Sequence, residues 1–496
     1  MKLHPSDLYL SHILATLNDV IVPELHTETA VTSAAILQAC VRELLRREHQ
    51  SPAIVERANR AGMEIIRHMR EALAGHGVTA TTPDISTQPI IAAGARPFQE
   101  LADQNALITA NMTALLRELS AIPPASREPC VNTLLRQAAD WEYGFHLEQL
   151  NAGLDDALQA EQDPLPRAAL EAFLRSVHPD GDAVQLLAMT RAEGGSGKQT
   201  YFITIAGRDG APRELVVRKA DKTLMMTTGA YLIEREFHLL SAVAATGFLA
   251  PRPLWFGSDV AGTDGGNFFI MERMPGKIPG TYLGGAAHIE EDLLLELAEH
   301  LARLHNIPLD HFRSYIERYE PPTLLEETIE ACTRRTVEEW RAYAVTAHQH
   351  PSPAHEYMID WLSRNVPANT ATPVLVHGDF NTHNILIHEG RVGAVLDWEG
   401  ALFGAPELDL AYIRPHIAKH IAWDKFVDRY REAGGKPIDG DAMDFYQTLL
   451  AMRVMNGLAS TTRHLQEGTT NDLRLFMVQL GYITEFTRIG LEGCKE

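Results

Sequence analysis

Cysteine is scarce in this chain. Cys40, Cys130, Cys332 and Cys494 are four among 496 residues, and no CxxC pair occurs. That scatter excludes a disulfide framework and a cysteine-built zinc site, and a reducing compartment is the simplest reading. Long apolar runs are also missing. No stretch of roughly 18 apolar residues occurs, and the opening MKLHPSDLYL lacks the apolar core of a secretory leader. Positive charge is in short supply: 44 lysines and arginines face 65 aspartates and glutamates, for a net charge of −21. Such a balance argues against nucleic acid and against an anionic membrane surface as partners. A soluble, cytoplasmic protein is expected. What remains is a globular composition, 45% hydrophobic and 22% charged, over a length that predicts two or three domains.

Residues 1 to about 155 read as helix after helix. Apolar positions recur at helical spacing over 28–48, and Ser51-Pro52 opens a helix that Gly75 and Gly77 close. Further helices are predicted over 97–122 and 126–154. A helical bundle over 1–155 is expected, without metal or catalytic spacing; homo-oligomerisation, partner docking and covering the substrate cleft stay open as its role. Trp141, Tyr143, Phe145 and His146 read as core or interface. Residues 156–180 read as a linker carrying a short helix from Arg167 to Val177.

From Ala183 the period changes to that of strands, over 186–191 and 200–206, separated by Glu193-Gly194-Gly195-Ser196-Gly197-Lys198-Gln199. Gly-Ser-Gly-Lys imitates a P-loop, but Gln199 stands where Ser or Thr would hold Mg²⁺, and a strand follows where a helix is required. A hairpin fits better, in which Gly195, Ser196 and Gly197 let backbone N–H groups approach phosphates.

The chemistry concentrates between His377 and Asp397. Ile385-Leu386-Ile387 and the run 392–396 flank a polar turn, which predicts a hairpin. With the turn near Glu389-Gly390, cross-strand partners sum to about 779 or 780. Asn384 and Asp397 then meet at the open end, and Asp379 lies on the loop feeding it. Two carboxylates and an amide converge there, hard oxygen ligands suited to Mg²⁺ together with an acid near a substrate hydroxyl.

His-x-Asp-x-x-x-x-Asn followed by a strand-borne Asp is the catalytic-loop pattern of the kinase-like fold. HGDFNTHN followed by LDWEGALFGAPELDLAY resembles the aminoglycoside-phosphotransferase/choline-kinase group of small-molecule kinases. Gly378 stands where protein kinases carry Arg, and Trp398 where they carry Phe. The resemblance covers roughly residues 180–490. It implies an α+β class, with a bilobal protein-kinase-like fold: a β-rich N-lobe over 181–276 and a helical C-lobe over 277–496, preceded by the all-α domain.

The same resemblance implies ATP and Mg²⁺ as cofactors and a small-molecule hydroxyl as acceptor. Asp379 would orient that hydroxyl and take its proton, while Asn384 and Asp397 would hold Mg²⁺. His377 would organise the loop backbone, Asp409 of ELDLAY would stabilise it through hydrogen bonds, and His305 reads as structural. A cation on the strand 215–220 should reach the phosphates and pair with an acid on the next helix. Arg218 and Lys219 are both candidates; alternation puts them on opposite faces, so only one points into the cleft, and Lys219 is favoured. The acid is Glu236, with Glu234 in reserve. Adenine would meet the main chain of Glu272, Arg273 and Met274 at the hinge between lobes.

VVRKAD, the helix around Trp340 and GAPELDLAY are similar to the phosphotransferases associated with acyl-CoA dehydrogenases, which implies a hydroxyacyl-type acceptor. Residues 282–376 carry 15 acidic and 7 basic residues, which favours a cationic acceptor such as an aminoglycoside. A third reading, a nucleotide-binding pseudokinase or regulator, has against it that every expected catalytic residue type is present.

Overall fold

The computed structural model describes residues 51–92, 98–123, 126–127, 129–151, 165–192, 198–220, 232–261, 263, 266–279, 289–347, 352–466 and 473–495, with scattered positions between 10 and 45. The chain forms two compact units. One comprises Met1–Glu161, Trp340–Asn365 and Ala451–Glu496, the other Gln162–Glu339 and Val366–Leu450. This is not the linear division expected from the sequence, which assigned everything from 277 to 496 to one lobe.

The first unit is helical because its apolar residues recur every three or four positions. In α1 (Ser51–Gly75) these are Ile66, Met69 and Leu73, in α2 (Phe98–Ser120) Ile108, Met112, Leu115 and Leu119, and in α3 (Pro129–Asn151) Val131, Leu135 and Ala138, all buried. Gly62 lets α1 and α2 approach closely, since a Cβ there would lie 2.6 Å from Ile108. Trp141 Nε1 donates to the Ala58 carbonyl at 2.7 Å, a core role for part of the aromatic cluster. The helix Pro353–Arg364 joins this unit through two buried polar links. Glu142 Oε2 accepts the Ala354 N–H at its N-terminus (2.7 Å), and Arg127 pairs with Asp360 (3.1 Å). Among the described residues, no helix is long and apolar enough to cross a membrane.

The second unit opens with α4 (Arg167–Val177) and an antiparallel sheet of five strands: β1 (Gln185–Arg191), β2 (Lys198–Ala206), β3 (Pro212–Ala220), β4 (Pro253–Gly257) and β5 (Phe268–Glu272). Their order is β1-β2-β3-β5-β4. Leu170 and Leu174 of α4 lie in one core with Tyr201, Ile203, Leu215, Val217, Phe268 and Ile270. Residues expected to be linker thus supply part of the sheet's core. α5 (Ile233–Ala245), between β3 and β4 in the chain, covers the opposite face, where Phe237 meets Phe256 and Phe269 at ring distances of 5.4 and 5.8 Å.

Helices dominate the remainder: α6 (Glu291–His305), α7 (Arg313–Tyr319), α8 (Glu407–Ile417) and α9 (Trp423–Glu432). Between α7 and α8 lie two small sheets, β6 (Val374–Val376) with β9 (Leu402–Gly404) and β7 (Ile385–His388) with β8 (Arg391–Val395). The β7–β8 register pairs Ile385 with Val395 and Leu386 with Ala394, then, past an irregularity, Ile387 with Val392 and His388 with Arg391. These are the expected sums, 780 and then 779. Glu389 (φ 49°) and Gly390 (φ 78°) make the turn, two left-handed residues as a type I′ hairpin requires.

The chain leaving β5 docks on this hairpin. Lys277 and Ile387 exchange backbone hydrogen bonds of 2.9 and 2.8 Å. Gly276 (φ 128°) makes the approach possible, because a Cβ there would sit 2.7 Å from the Ile387 carbonyl oxygen.

Candidate active site

The loop between β6 and β7 is held from behind by Asp409, in the first turn of α8. Its Oδ2 accepts the His377 N–H and its Oδ1 the Gly378 N–H, each at 2.8 Å. His305 Nε2, at the end of α6, lies 3.1 Å from Oδ2, and its Nδ1 lies 2.9 Å from the Tyr430 hydroxyl of α9. Asp409 and His305 are fully buried. A carboxylate only accepts, so His305 donates from Nε2 and accepts at Nδ1. His377 Nδ1 accepts the Asp379 N–H (3.2 Å), which makes its Nε2 the donor to the Leu396 carbonyl at 2.9 Å. The same ring meets Trp398 edge-on at 4.7 Å. His377 and Asp409 thus bond the backbone of this loop.

On this scaffold Asp379 Oδ2 accepts from Asn384 Nδ2 (2.8 Å), which also bonds the Asp379 carbonyl (3.0 Å). His383 Nε2 is hydrogen-bonded to the same Oδ2 at 3.4 Å and lies 3.3 Å from Oδ1. That oxygen is buried and has no hydrogen-bond partner among the described residues. Leu396 N–H bonds the Asn384 carbonyl at 2.8 Å, so Asn384 and Asp397 do meet at the hairpin's open end. Asp397 follows in a left-handed conformation, φ 61° and ψ 70°, a strained backbone for a residue with a side chain.

Asp397 belongs to a cluster of five charges, with four others around it. Arg218 Nη2 lies 2.8 Å from Asp397 Oδ1, 3.3 Å from Glu236 Oε1 and 3.7 Å from Glu399 Oε2. Lys198 Nζ lies 2.6 Å from both Glu236 Oε2 and Glu399 Oε2. Desolvation alone would raise the Asp397 carboxyl, but Arg218 and Lys198 outweigh it and hold the group below the usual carboxylate range. Desolvation pushes Glu399 the other way, above that range; Lys198 offsets this in part, and the neighbouring Asp397 charge adds to it. Arg218 Nε is buried without a hydrogen-bond partner among the described residues. A cation with an orphaned N–H fits a phosphate oxygen. Asp397 and Glu399 retain 30% and 27% of their side-chain surface, so both are within reach of a ligand. Asn384 has its amide nitrogen committed to Asp379, which leaves its oxygen, like those of Asp397 and Glu399, a donor of the hard type that Mg²⁺ takes.

Of the two candidate cations, the favoured one does not face this cluster. Lys219 is fully buried on the α4 side of the sheet, alternating with Leu215 and Val217, and its Nζ donates to the Ala220 carbonyl at 3.2 Å. Arg218 takes the cleft position. Glu236 is the acid beside it, while the reserve, Glu234, turns to Arg318 and to the Tyr319 hydroxyl (3.1 Å) of α7. At the hinge, the Glu272 side chain pairs with Arg252 and Arg213, and Arg273 lies over Phe202 at 4.5 Å. The Glu272 N–H is already bound to the Arg252 carbonyl (3.0 Å), so a hinge donor to adenine would come from Arg273 or Met274. Beside the hinge is a cavity of about 850 Å³ lined by Gly276, Lys277, Ile289, Leu293 and Ile387, without Asp379 or Asp397. Gly195, Ser196 and Gly197 lie outside the described residues.

Two members of the cluster, Lys198 and Glu399, carried no expected role. Strand β2 begins at Lys198, two residues before the expected start, and Lys198 opposes Ala220 while Thr200 opposes Arg218. Period-two alternation then puts Lys198 on the face of Arg218. The signal for Glu399 was its place two residues after Asp397, within LDWE.

Residues 188–446 match the profile of the phosphotransferase enzyme family. Over 252 residues the chain is 33% identical to acyl-CoA dehydrogenase family member 11 of Rattus norvegicus, covering 49% of this chain and 30% of that protein. Over 262 residues it is 30% identical to acyl-CoA dehydrogenase family member 10 of Mus musculus, covering 50% and 22%. The chain thus spans less than a third of the length of these relatives. Hygromycin-B 4-O-kinase of Escherichia coli matches at 37% identity over 67 residues, 13% of this chain and 20% of that protein. The fold is shared with a crystal structure from Ralstonia eutropha, provisionally named an aminoglycoside phosphotransferase: 22% identity, 66% of this chain and 98% of that one, TM-score 0.50.

Proposed function

The chain belongs to the phosphotransferase enzyme family, and on that premise we propose that it transfers the γ-phosphoryl group of ATP to a hydroxyl of a small molecule. The observation carrying this reading is Asp379, a carboxylate with one oxygen fixed by Asn384 and the other buried without a hydrogen-bond partner among the described residues. A hydroxyl placed there donates its hydrogen bond to Oδ1. As its oxygen bonds to the γ-phosphorus and the bond to ADP breaks, the proton passes to Asp379.

Arg218 contributes a permanent positive charge toward the phosphates, and its orphaned Nε–H supports that role. Asn384 and Asp397 would hold Mg²⁺, with Glu399 beside them as a further oxygen. Bound there, Mg²⁺ would neutralise charge on the phosphate oxygens. Asp409 and His377 keep the Asp379 backbone in place, so that little reorganisation accompanies transfer.

For the acceptor we favour a hydroxyacyl-type compound, a choice supported by the relatives named acyl-CoA dehydrogenase family members. An aminoglycoside is the second reading, supported by the short match to hygromycin-B 4-O-kinase. ADP release in Mg·ATP against hydroxyacyl-CoAs, aminoglycosides, macrolides and amino alcohols tests both. One class should give turnover that Asp379→Ala lowers by about 10²- to 10⁴-fold. Turnover unchanged in Asp379→Ala would refute the assignment, and nucleotide binding without turnover on any acceptor would favour a regulator.

A further inference from the structure

Lys198 takes no part in the transfer described above, yet 4% of its side chain is exposed and its ammonium touches two carboxylates. The three groups come from three elements: the first residue of β2, the first turn of α5, and the turn that follows Asp397. An ammonium so enclosed persists only with partners of opposite charge. Desolvation, the largest influence, pulls its pKa down, and Glu236 and Glu399 outweigh it and hold the group above its usual range.

Arg218 cannot do the same work for α5. Its closest contact is Asp397, at 2.8 Å, and Glu236 is 3.3 Å away. Lys219 leaves the sheet on the other face. The acid of α5 therefore has its shortest bond to a lysine of β2, at 2.6 Å. We propose that Lys198 is the positioning lysine of this site, supplied by β2 rather than β3, which holds Glu236 and Glu399 so that Arg218 is free to exchange Asp397 for nucleotide phosphates.

The inference rests on the ATP-dependent reading and adds a division of labour to it. Arg218 faces three carboxylates within 3.7 Å. With Lys198 present, two of them are shared with a second cation. Without it, all three hold Arg218 alone, and an incoming phosphate competes against a stronger grip. Loss of Lys198 should therefore weaken nucleotide binding through Arg218, and removing one of the liberated carboxylates should restore it. Direct contact between Lys198 and the phosphates would produce the loss but not the recovery.

The test titrates Mg·AMP-PNP calorimetrically into the full chain and into Lys198→Met, Lys198→Met/Glu236→Gln and Lys219→Met, Glu236 being the liberated carboxylate that has no part in the metal site. Lys198→Met should bind at least about tenfold more weakly, the double variant should return to within about threefold of wild type, and Lys219→Met should stay within about threefold. Should Lys198→Met fail to fold, the charge-compensated double variant carries the comparison: near-wild-type affinity supports the proposal, and a loss of about tenfold overturns it. Wild-type affinity in Lys198→Met, or a large loss in Lys219→Met, overturns this inference and leaves nucleotide binding standing. A wild type that does not bind Mg·AMP-PNP overturns both.

Discussion

Asparagine at position 409 probes how the loop bearing Asp379 is held. Asp409 is fully buried, and its two oxygens receive His377 N–H and Gly378 N–H at 2.8 Å and His305 Nε2–H at 3.1 Å. Asp409→Asn keeps the volume, removes the charge and turns one acceptor into a donor. The His305 ring cannot flip to accommodate it without loss, because its Nδ1 accepts from Tyr430, whose oxygen in turn accepts the Lys436 N–H at 3.1 Å. Burial pushes the Tyr430 phenol above its usual range, which keeps it a donor. One N–H is therefore left facing an NH₂ group. A buried donor without an acceptor costs about 1–3 kcal/mol, and the surviving bonds fall from charge-assisted toward neutral strength, about 1 kcal/mol apiece.

The total is roughly 3 kcal/mol, concentrated on His377 and Gly378. Global unfolding of a chain with two compact units is a poor reporter of such a local change. Amide exchange by mass spectrometry over residues 374–384 is direct, and a 3 kcal/mol loss corresponds to exchange roughly a hundredfold faster there. Exchange within about threefold of wild type would show that the loop does not depend on Asp409 and would refute the reasoning.

Three further outcomes follow from the same geometry. Gly276→Ala forces a Cβ to 2.7 Å from the Ile387 carbonyl at φ 128°; it should destabilise this contact by about 2–4 kcal/mol, and unchanged amide exchange at Lys277 and Ile387 would refute the close approach. His416 has its pKa lowered from 6.5 to about 4 by desolvation, with His420, Lys419 and His383 adding to the effect. Protonation is thus favoured in the unfolded chain, so stability is complete above pH 6.5 and declines as pH falls toward 4. With the ring partly open to water, the loss should be about 1–2 kcal/mol, and His416→Gln should flatten the stability–pH curve over that window. Asp397→Asn should abolish the Mg²⁺ dependence of ATP binding measured by calorimetry; coupling equal to wild type would remove Asp397 from the metal site.

Local pattern carried much of this. The β7–β8 register was legible because alternation and a two-residue left-handed turn leave one pairing that keeps Asn384 beside Asp397. The Asp379–Asn384–Asp397 spacing was legible because it recurs wherever phosphoryl transfer is organised this way. The choice between Arg218 and Lys219 was not. Val216 and Val217 are both apolar and both buried, so the strand has no polar face to show which parity looks into the cleft. α4 settles it by covering Leu215 and Val217, which leaves Arg218 on the side of Glu236. Lys198 was lost because a glycine-rich run hides where β2 begins. The place of Pro353–Arg364 was illegible for another reason: its partners, Arg127 and Glu142, lie more than two hundred residues earlier in the chain, and no local period encodes such a pairing.

The charge balance of the cluster explains why these cations are arranged as they are. Glu236, Asp397 and Glu399 stand against Lys198 and Arg218, an acid surplus even with both cations charged. A triphosphate entering that site would meet net repulsion, so on the proposed reading cationic side chains alone would not hold it, as they would in a predominantly basic groove. A divalent cation reverses the sign, and hard oxygen donors are what such an ion requires. Arg218 pairs with Asp397 at 2.8 Å. A guanidinium suits the exchange because it stays charged whichever anion it meets and bonds carboxylate and phosphate with the same fork. An ammonium suits the fixed corner, where Lys198 satisfies two carboxylates at 2.6 Å each. On the proposed reading, the two cations divide the work when the phosphates arrive: one lets go, and the other does not.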